Sequence, residues 1–312
     1  MPSIKKRRYN KLMVKKFKYK DVVWIDLESP TPEELAVIGD EYKLHPVATA
    51  ELENPNNRSK VDVYSDMIYL GLHFPRGLLG RGASDNKRQS LEIDFVVAKN
   101  VIITNHYEMI NVLNDFGKIF ETDFVLKKNS DKLHAGYLFF YILREIYYSM
   151  EIGLSSLNGK LRGAGEQIFT GHEREMVMTL ANLNYEIMDA HWFLGPHREI
   201  LLSLELAGHD FFGVKFDYYL ESIRSEYEKI WATVESNHNA FLDLRETNDS
   251  LLAIKNNDIM RVLMVVAFIV LPLSIISQSA AVHGSAAFWP AIGLMVTSLA
   301  ITYFIAKHKK WL

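Results

Sequence analysis

Asn257, Met260, Met264, Ala267, Leu271, Ser274 and Gln278 recur at three- and four-residue steps, so at about 100° per residue they share one narrow stripe of a helix. Amides, thioethers, small side chains and a hydroxyl make a set that can face an ion or water. It contains no general base to activate that hydroxyl as a nucleophile. Val262 to Ala306, around and beyond the stripe, is forty-five residues without one Asp, Glu, Lys or Arg. A polar side chain facing lipid is costly, so Ser274 and Gln278, one turn apart, should face other helices or water. Periodicity alone leaves two readings open: they glue helices together, or they line an aqueous path.

Other chemistry is sparse. Gly77-Leu78-Leu79-Gly80-Arg81-Gly82 lacks the Lys-Ser/Thr of a phosphate loop, and His172-Glu173 lacks a second His at 176, which is Met. Zero cysteines remove disulfides, thiolate catalysis and Cys-based metal sites together, and fit a reducing, cytoplasmic main body. His283 stands alone between two apolar runs. A lone His is ordinarily a solvated or interfacial side chain, but in a ring of subunits it would become a cluster.

These residues need elements to hold them. An apolar helix crosses a bilayer core of about 30 Å with roughly 20 residues, so the charge-free run suits two spans, 259–276 and 286–306, joined by a small polar link from Ser277 to Ser285. The bland alternative is a helical hairpin buried in a soluble core, for which so long a run without charge is unusual. Lys255 and Arg261 precede the first span, Lys307, Lys309 and Lys310 follow the second, and the link has no basic residue. Both chain ends are therefore expected on the cytoplasmic side of a cell (inner) membrane, with the bilayer as a partner. No apolar stretch follows Met1, so no secretory signal is expected.

The rest of the 312-residue chain exceeds one ordinary domain. Its net charge of -3 predicts no general affinity for polyanions, and no nucleic-acid partner is expected. Nine Lys or Arg between Lys5 and Lys20 form one basic cluster, read as a solvated N-terminus partly paired as an edge strand. Asp21–Leu27 predicts a strand, after which Thr31 can cap a helix with Pro32 at its first position. Lys60–Phe74 and Leu91–Asn105 carry strand-like runs, and Pro75–Ser90 between them reads as an exposed connection. From about residue 132 the pattern turns to long helices, Lys132–Leu161 and Glu173–Leu206, the latter interrupted at Gly195-Pro196. Leu220, Ile223, Tyr227, Ile230, Val234, Phe241 and Leu244 then line one face of a stalk helix. The expected architecture is an α+β membrane protein: an α/β domain over 1–210, a stalk over 211–258 and a transmembrane hairpin over 259–312.

The residues also resemble a family, the CorA-type magnesium transporters of the two-transmembrane GxN superfamily. Trp24-Ile25-Asp26-Leu27-Glu28-Ser29-Pro30-Thr31 is similar to its opening strand and turn, and Leu44-His45-Pro46 with Arg58-Ser59-Lys60-Val61 to its next segment. Glu92-Ile93-Asp94-Phe95 and Ile103-Thr104-Asn105-His106 resemble its following strands. Asn257-Asp258-Ile259-Met260-Arg261-Val262-Leu263 resembles the approach to its first span, Leu271-Pro272-Leu273-Ser274 its mid-span proline, and Lys309-Lys310-Trp311-Leu312 its basic end.

The resemblance implies a homopentamer with a cytoplasmic funnel, no prosthetic group, and an ion path lined by the first span. Asn257, Met260, Leu263, Leu271 and Ser274 would line it, with Met260 and Leu271 near hydrophobic constrictions. Where the family has Gly-Met-Asn at the pore mouth, this chain has Ala281-Val282-His283, and the acids usual in the following loop are absent. Asp217 and Glu221 lie near the region of the family's intersubunit regulatory acids, and Glu246 near the lower end of the path. Divalent cations are the expected substrates. A ring of neutral His283 imidazoles would favour zinc, cobalt or nickel over magnesium. The alternative is a pentameric scaffold or sensor that does not conduct. A membrane-anchored enzyme has no supporting motif.

Overall fold

The structure, a computed structural model, describes residues 13–79, 90–121, 134–283 and 288–308. They fall into two compact units, Met1–Glu166 with Met178–Leu242, and Gln167–Val177 with Asp243–Leu312.

The first unit holds a six-stranded sheet in the order β1-β2-β6-β5-β4-β3. Its strands are β1 (Met13–Tyr19), β2 (Val22–Glu28), β3 (Lys60–Val63), β4 (Met67–Pro75), β5 (Ser90–Ala98) and β6 (Val101–His106). Only β2 and β6 pair in parallel. The run Lys60–Phe74 is a hairpin, β3 to β4, closed by the Tyr64 N–H donating to the Met67 carbonyl. Leu91–Asn105 likewise splits into β5 and β6. Helix α1 (Pro32–Tyr42) begins as its sequence dictates: Thr31 Oγ1 accepts the Glu34 N–H, Glu34 Oε2 accepts the Thr31 N–H, and Pro32 occupies the first turn. Helix α2 (Pro46–Glu51) follows, and with α1 it covers one face of the sheet through Leu35, Ile38, Ala48 and Tyr69.

The central strands carry acids inside the core. Register sets Asp26 beside Thr104 and Asp94 beside Asn105. Trp24 Nε1 donates to Thr104 Oγ1 at 2.9 Å, Thr104 donates to Asp26 Oδ1 at 2.7 Å, and His106 Nε2 meets the same oxygen at 3.1 Å. Phe17 and Phe116 close over the Trp24 ring. Because Thr104 passes one hydrogen bond on and receives another, Thr104→Val takes the acceptor from the buried Trp24 indole N–H and leaves Asp26 Oδ1 with His106 as its remaining side-chain partner. It is expected to cost about 1–3 kcal/mol, read as a lower unfolding temperature of the purified protein.

The expected connection after Pro75 differs from its reading. Arg76–Leu79 is a short helix, α3, with Leu78 and Leu79 buried; residues 80–89 lie outside the described residues. An apolar pair next to a strand end is better packed than exposed, and Gly153 makes room for it. A Cβ at 153 would stand 2.6 Å from the Leu78 carbonyl oxygen.

Helix α4 (Asn111–Glu121) completes the sheet-bearing part, and the long helices follow: α5 (Ala135–Phe169), α6 (Glu173–Leu194) and α7 (His197–Phe212). α5 runs beyond the predicted Leu161, and the Gly195-Pro196 break separates α6 from α7. A turn of 3-10 helix (Val214–Phe216) leads into α8 (Asp217–His283), sixty-seven residues without interruption. Leu220, Ile223, Tyr227, Ile230, Val234 and Phe241 are buried as their spacing predicts, and Leu244 is half-buried.

Candidate ion path and its flanks

The second unit contains the end of α8, helix α9 (Phe288–His308), and the turn between α5 and α6. By length and composition α8 is able to cross a membrane, and α9 holds a shorter apolar stretch, Ile292–Phe304. The helix does not stop at Ile276. Ser277–His283, expected as part of the link, is helical, and of the link only Gly284 and Ser285 fall outside the described residues. Pro272 sits inside α8 and removes one backbone donor.

Along this stretch Val265, Ile269, Pro272, Leu273 and Ile276 are wholly or partly covered within the chain. They form one face. Asn257, Met260, Met264, Ala267, Leu271, Ser274 and Gln278 are all exposed, as is Leu263 at the margin of the stripe. At about 100° per residue the mean direction of this stripe lies roughly half a turn from the covered face. Its side chains therefore point away from what the chain itself provides.

Hydroxyls in these helices settle on their own backbone. Ser274 Oγ donates to the Leu271 carbonyl at 2.9 Å, and Thr297 and Thr302 of α9 donate to carbonyls three or four residues earlier. Such bonds lower the cost of a polar group in hydrocarbon. Ser274 thus keeps lone pairs for another donor, but its proton is committed.

Sequence reading missed the flank of the path. Lys255 Nζ donates to Glu173 Oε2 at 2.5 Å and to the Gly171 carbonyl at 3.2 Å, tying α8 two residues before Asn257 to the turn between α5 and α6. That pair holds the Glu173 carboxyl below the ordinary carboxylate range. The only sequence signal was a Gly-His-Glu turn and an isolated Lys, eighty-two residues apart. Arg261 pairs with Asp258 one turn away.

The expected metal-ligating acids are not brought together. Asp217 opens α8 and accepts from His209 Nδ1 at 2.8 Å, which holds His209 above its ordinary value. Glu221 is exposed one turn later and Glu246 is exposed much further along α8. Among the described residues no three His, Asp or Glu side chains stand ready around a common point. Ala281, Val282 and His283 end α8, and their side chains are outside the described residues.

A family profile described as "CorA-like Mg2+ transporter protein" matches residues 19–278. The chain belongs to the CorA family. It is accordingly a member of a family of divalent metal ion transporters of the membrane, not of enzymes. Its similarity to individual CorA proteins is distant and extends along nearly the whole chain. The cobalt/magnesium transport protein CorA of Thermotoga maritima is 20% identical over 290 residues, 88% of this chain and 79% of that protein. Its counterpart in Methanocaldococcus jannaschii is 21% identical over 309 residues, 93% of this chain and 92% of the other. The complete structure of the latter magnesium transporter superposes with a TM-score of 0.76 at 19% identity, covering 95% of this chain and 93% of that one. The full-length CmaX protein superposes with 0.72 at 15% identity, over 93% and 89%. The CorA fold is thus shared: a mixed sheet, a long helix and apolar helices at the C-terminal end.

Proposed function

We propose that this protein conducts divalent cations as a homopentamer, with the exposed stripe of α8 turned toward a shared axis. The observation that carries the reading is the opposition of faces on α8. One face is covered by the chain, and the other presents Asn257, Ser274 and Gln278 among small and sulfur-bearing residues to whatever lies beyond. One copy supplies too few helices to enclose water. A cyclic ring of copies closes the path with α8 innermost, and the chain shares its fold with the CorA magnesium transporter of Methanocaldococcus jannaschii. Both chain ends lie on the cytoplasmic side, where Lys255, Arg261 and Lys307 flank the spans.

Selectivity departs from magnesium in this reading. At the mouth each subunit contributes Ala281, Val282 and His283 in place of Gly-Met-Asn. Imidazole nitrogens favour zinc, cobalt and nickel, whereas magnesium prefers oxygen. No nucleotide is required: a divalent ion moving inward gains roughly 4.6 kcal/mol per 100 mV, two charges at about 2.3 each.

Metal flux into liposomes tests this. Wild-type flux is expected to fall as pH drops below about 6.5, the ordinary imidazole value, because a protonated ring repels cations. His283→Ala is expected to lose that pH dependence and to shift the order of zinc, cobalt, nickel and magnesium. An unchanged profile in the variant removes the His ring; no flux of any of the four at any potential leaves the non-conducting scaffold.

A further inference from the structure

We propose a second, transition-metal site in the soluble unit, formed by His191 of α6 with Glu235 and His238 of α8. It is separate from the ion path and does not depend on conduction. Glu235 and His238 are three residues apart, so they share a helix face, in the Glu-x-x-His spacing that metal-carrying helical bundles use. Opposite them stands His191. Its Nε2 lies 2.9 Å from Glu235 Oε1, and its ring centre lies 5.9 Å from that of His238. Trp231, one turn before Glu235, packs against the His191 ring with centres 4.7 Å apart and restrains where that ring stands.

These distances suit a shared ion. Zinc holds nitrogen and oxygen ligands at about 2.0–2.1 Å, which puts neighbouring donor atoms roughly 3.3 Å apart and the centres of two bound imidazoles roughly 5 to 6 Å apart. The first pair is already close to that spacing, and the two rings are at its outer edge. His238 supplies the second indication. Its Nδ1 is buried and has no hydrogen-bond partner, an arrangement that costs free energy unless something fills it. In the conformation described the three groups do not yet converge. A turn of the His238 ring about its side-chain bonds, which its partial exposure permits, brings a nitrogen to the His191–Glu235 pair.

Metal binding there forms three coordinate bonds and breaks the hydrogen bond between His191 and Glu235. The proton that His191 Nε2 donates to Glu235 leaves that nitrogen for solvent, the neutral ring carries its one proton on Nδ1, and the Nε2 lone pair goes to the ion. Water completes the shell, since His191 and Glu235 are nearly half exposed. Two imidazoles and one carboxylate select zinc, cobalt(II) or nickel over magnesium and calcium. An occupied site pins α6 to α8 within the soluble unit, giving the protein a means of registering the transition metals on that side.

The test uses the full chain, purified in detergent, stripped with chelator and held in excess magnesium. Cobalt(II) is titrated while its visible absorption is followed, and zinc is titrated by calorimetry. One cobalt per chain is expected, with bands of nitrogen and oxygen coordination. An ion held on the axis of a pentamer would instead count once per five chains. His191→Ala and Glu235→Gln are each expected to weaken the site at least about tenfold, as is His238→Ala, while His172→Ala leaves it intact. Glu235→Gln preserves volume at a half-exposed position, so its loss is not a folding defect. A wild-type protein without a one-per-chain site overturns the proposal, and so does a site that survives all three substitutions unchanged.

Discussion

Ala267→Trp is expected to abolish most metal flux, by at least about tenfold, equivalent to about 1.4 kcal/mol or more in the barrier. Ala267 is an exposed small residue on the stripe, between Met264 and Leu271. If the stripe faces a shared axis, each subunit brings one indole to the same level, and the path closes by volume alone. Neighbouring Val266 is also exposed, at 50%, but lies about a third of a turn from the mean direction of the stripe. Val266→Trp is therefore expected to leave flux within about twofold on the same barrier scale. The comparison discriminates because both variants add an indole to the same helix turn. Size-exclusion profiles establish that both still assemble. If Ala267→Trp conducts as well as wild type while Val266→Trp does not, the inward face of α8 has been assigned to the wrong side.

The stripe was legible in the sequence because helix periodicity is a local signal and the charge-free run left only a few polar residues to align. The buried face of the stalk was legible for the same reason, as were the cap at Thr31 and the break at Gly195-Pro196. The acids of the sheet were visible only as oddities. Asp26 sits in a run of Val, Trp, Ile and Leu, and Asp94 between Ile93 and Phe95, yet nothing local says which donor meets either one. Their partners Thr104 and Asn105 come through strand register, across seventy-eight and eleven residues. Helix α3 was missed because four residues are too few to show a period. The Lys255–Glu173 tie and the His191–Glu235 pair join helices far apart in the chain, so no spacing rule could propose them.

Asp94 yields the other large effect, in stability. It is fully buried on β5, accepts from the Tyr69 hydroxyl at 2.8 Å and from Asn105 Nδ2 at 3.0 Å, and shares its strand face with Glu92, two residues earlier. Burial, and next the negative charge of Glu92, push the Asp94 carboxyl up to about 8. In the unfolded chain it titrates near 3.9. The folded protein thus holds a proton that the unfolded chain has released, and linkage fixes the sign. Stability from this group is fully present below about pH 4 and is lost progressively as pH rises to about 8. Asp94→Asn keeps the shape and removes the titration. Between pH 5.5 and 8.5 the wild-type unfolding temperature is expected to decline relative to the variant; the buried His197, lowered to about 4, adds its own pH dependence up to about 6.5, but equally to both proteins. Each kcal/mol corresponds to about 2–4 °C in a protein of this size. The two curves should converge toward pH 5.5 and separate by several degrees at pH 8.5, with the variant the more stable there. Parallel curves across the whole range would mean that Asp94 is ionised in the folded protein, its carboxylate stabilised by the hydrogen bonds from Tyr69 and Asn105.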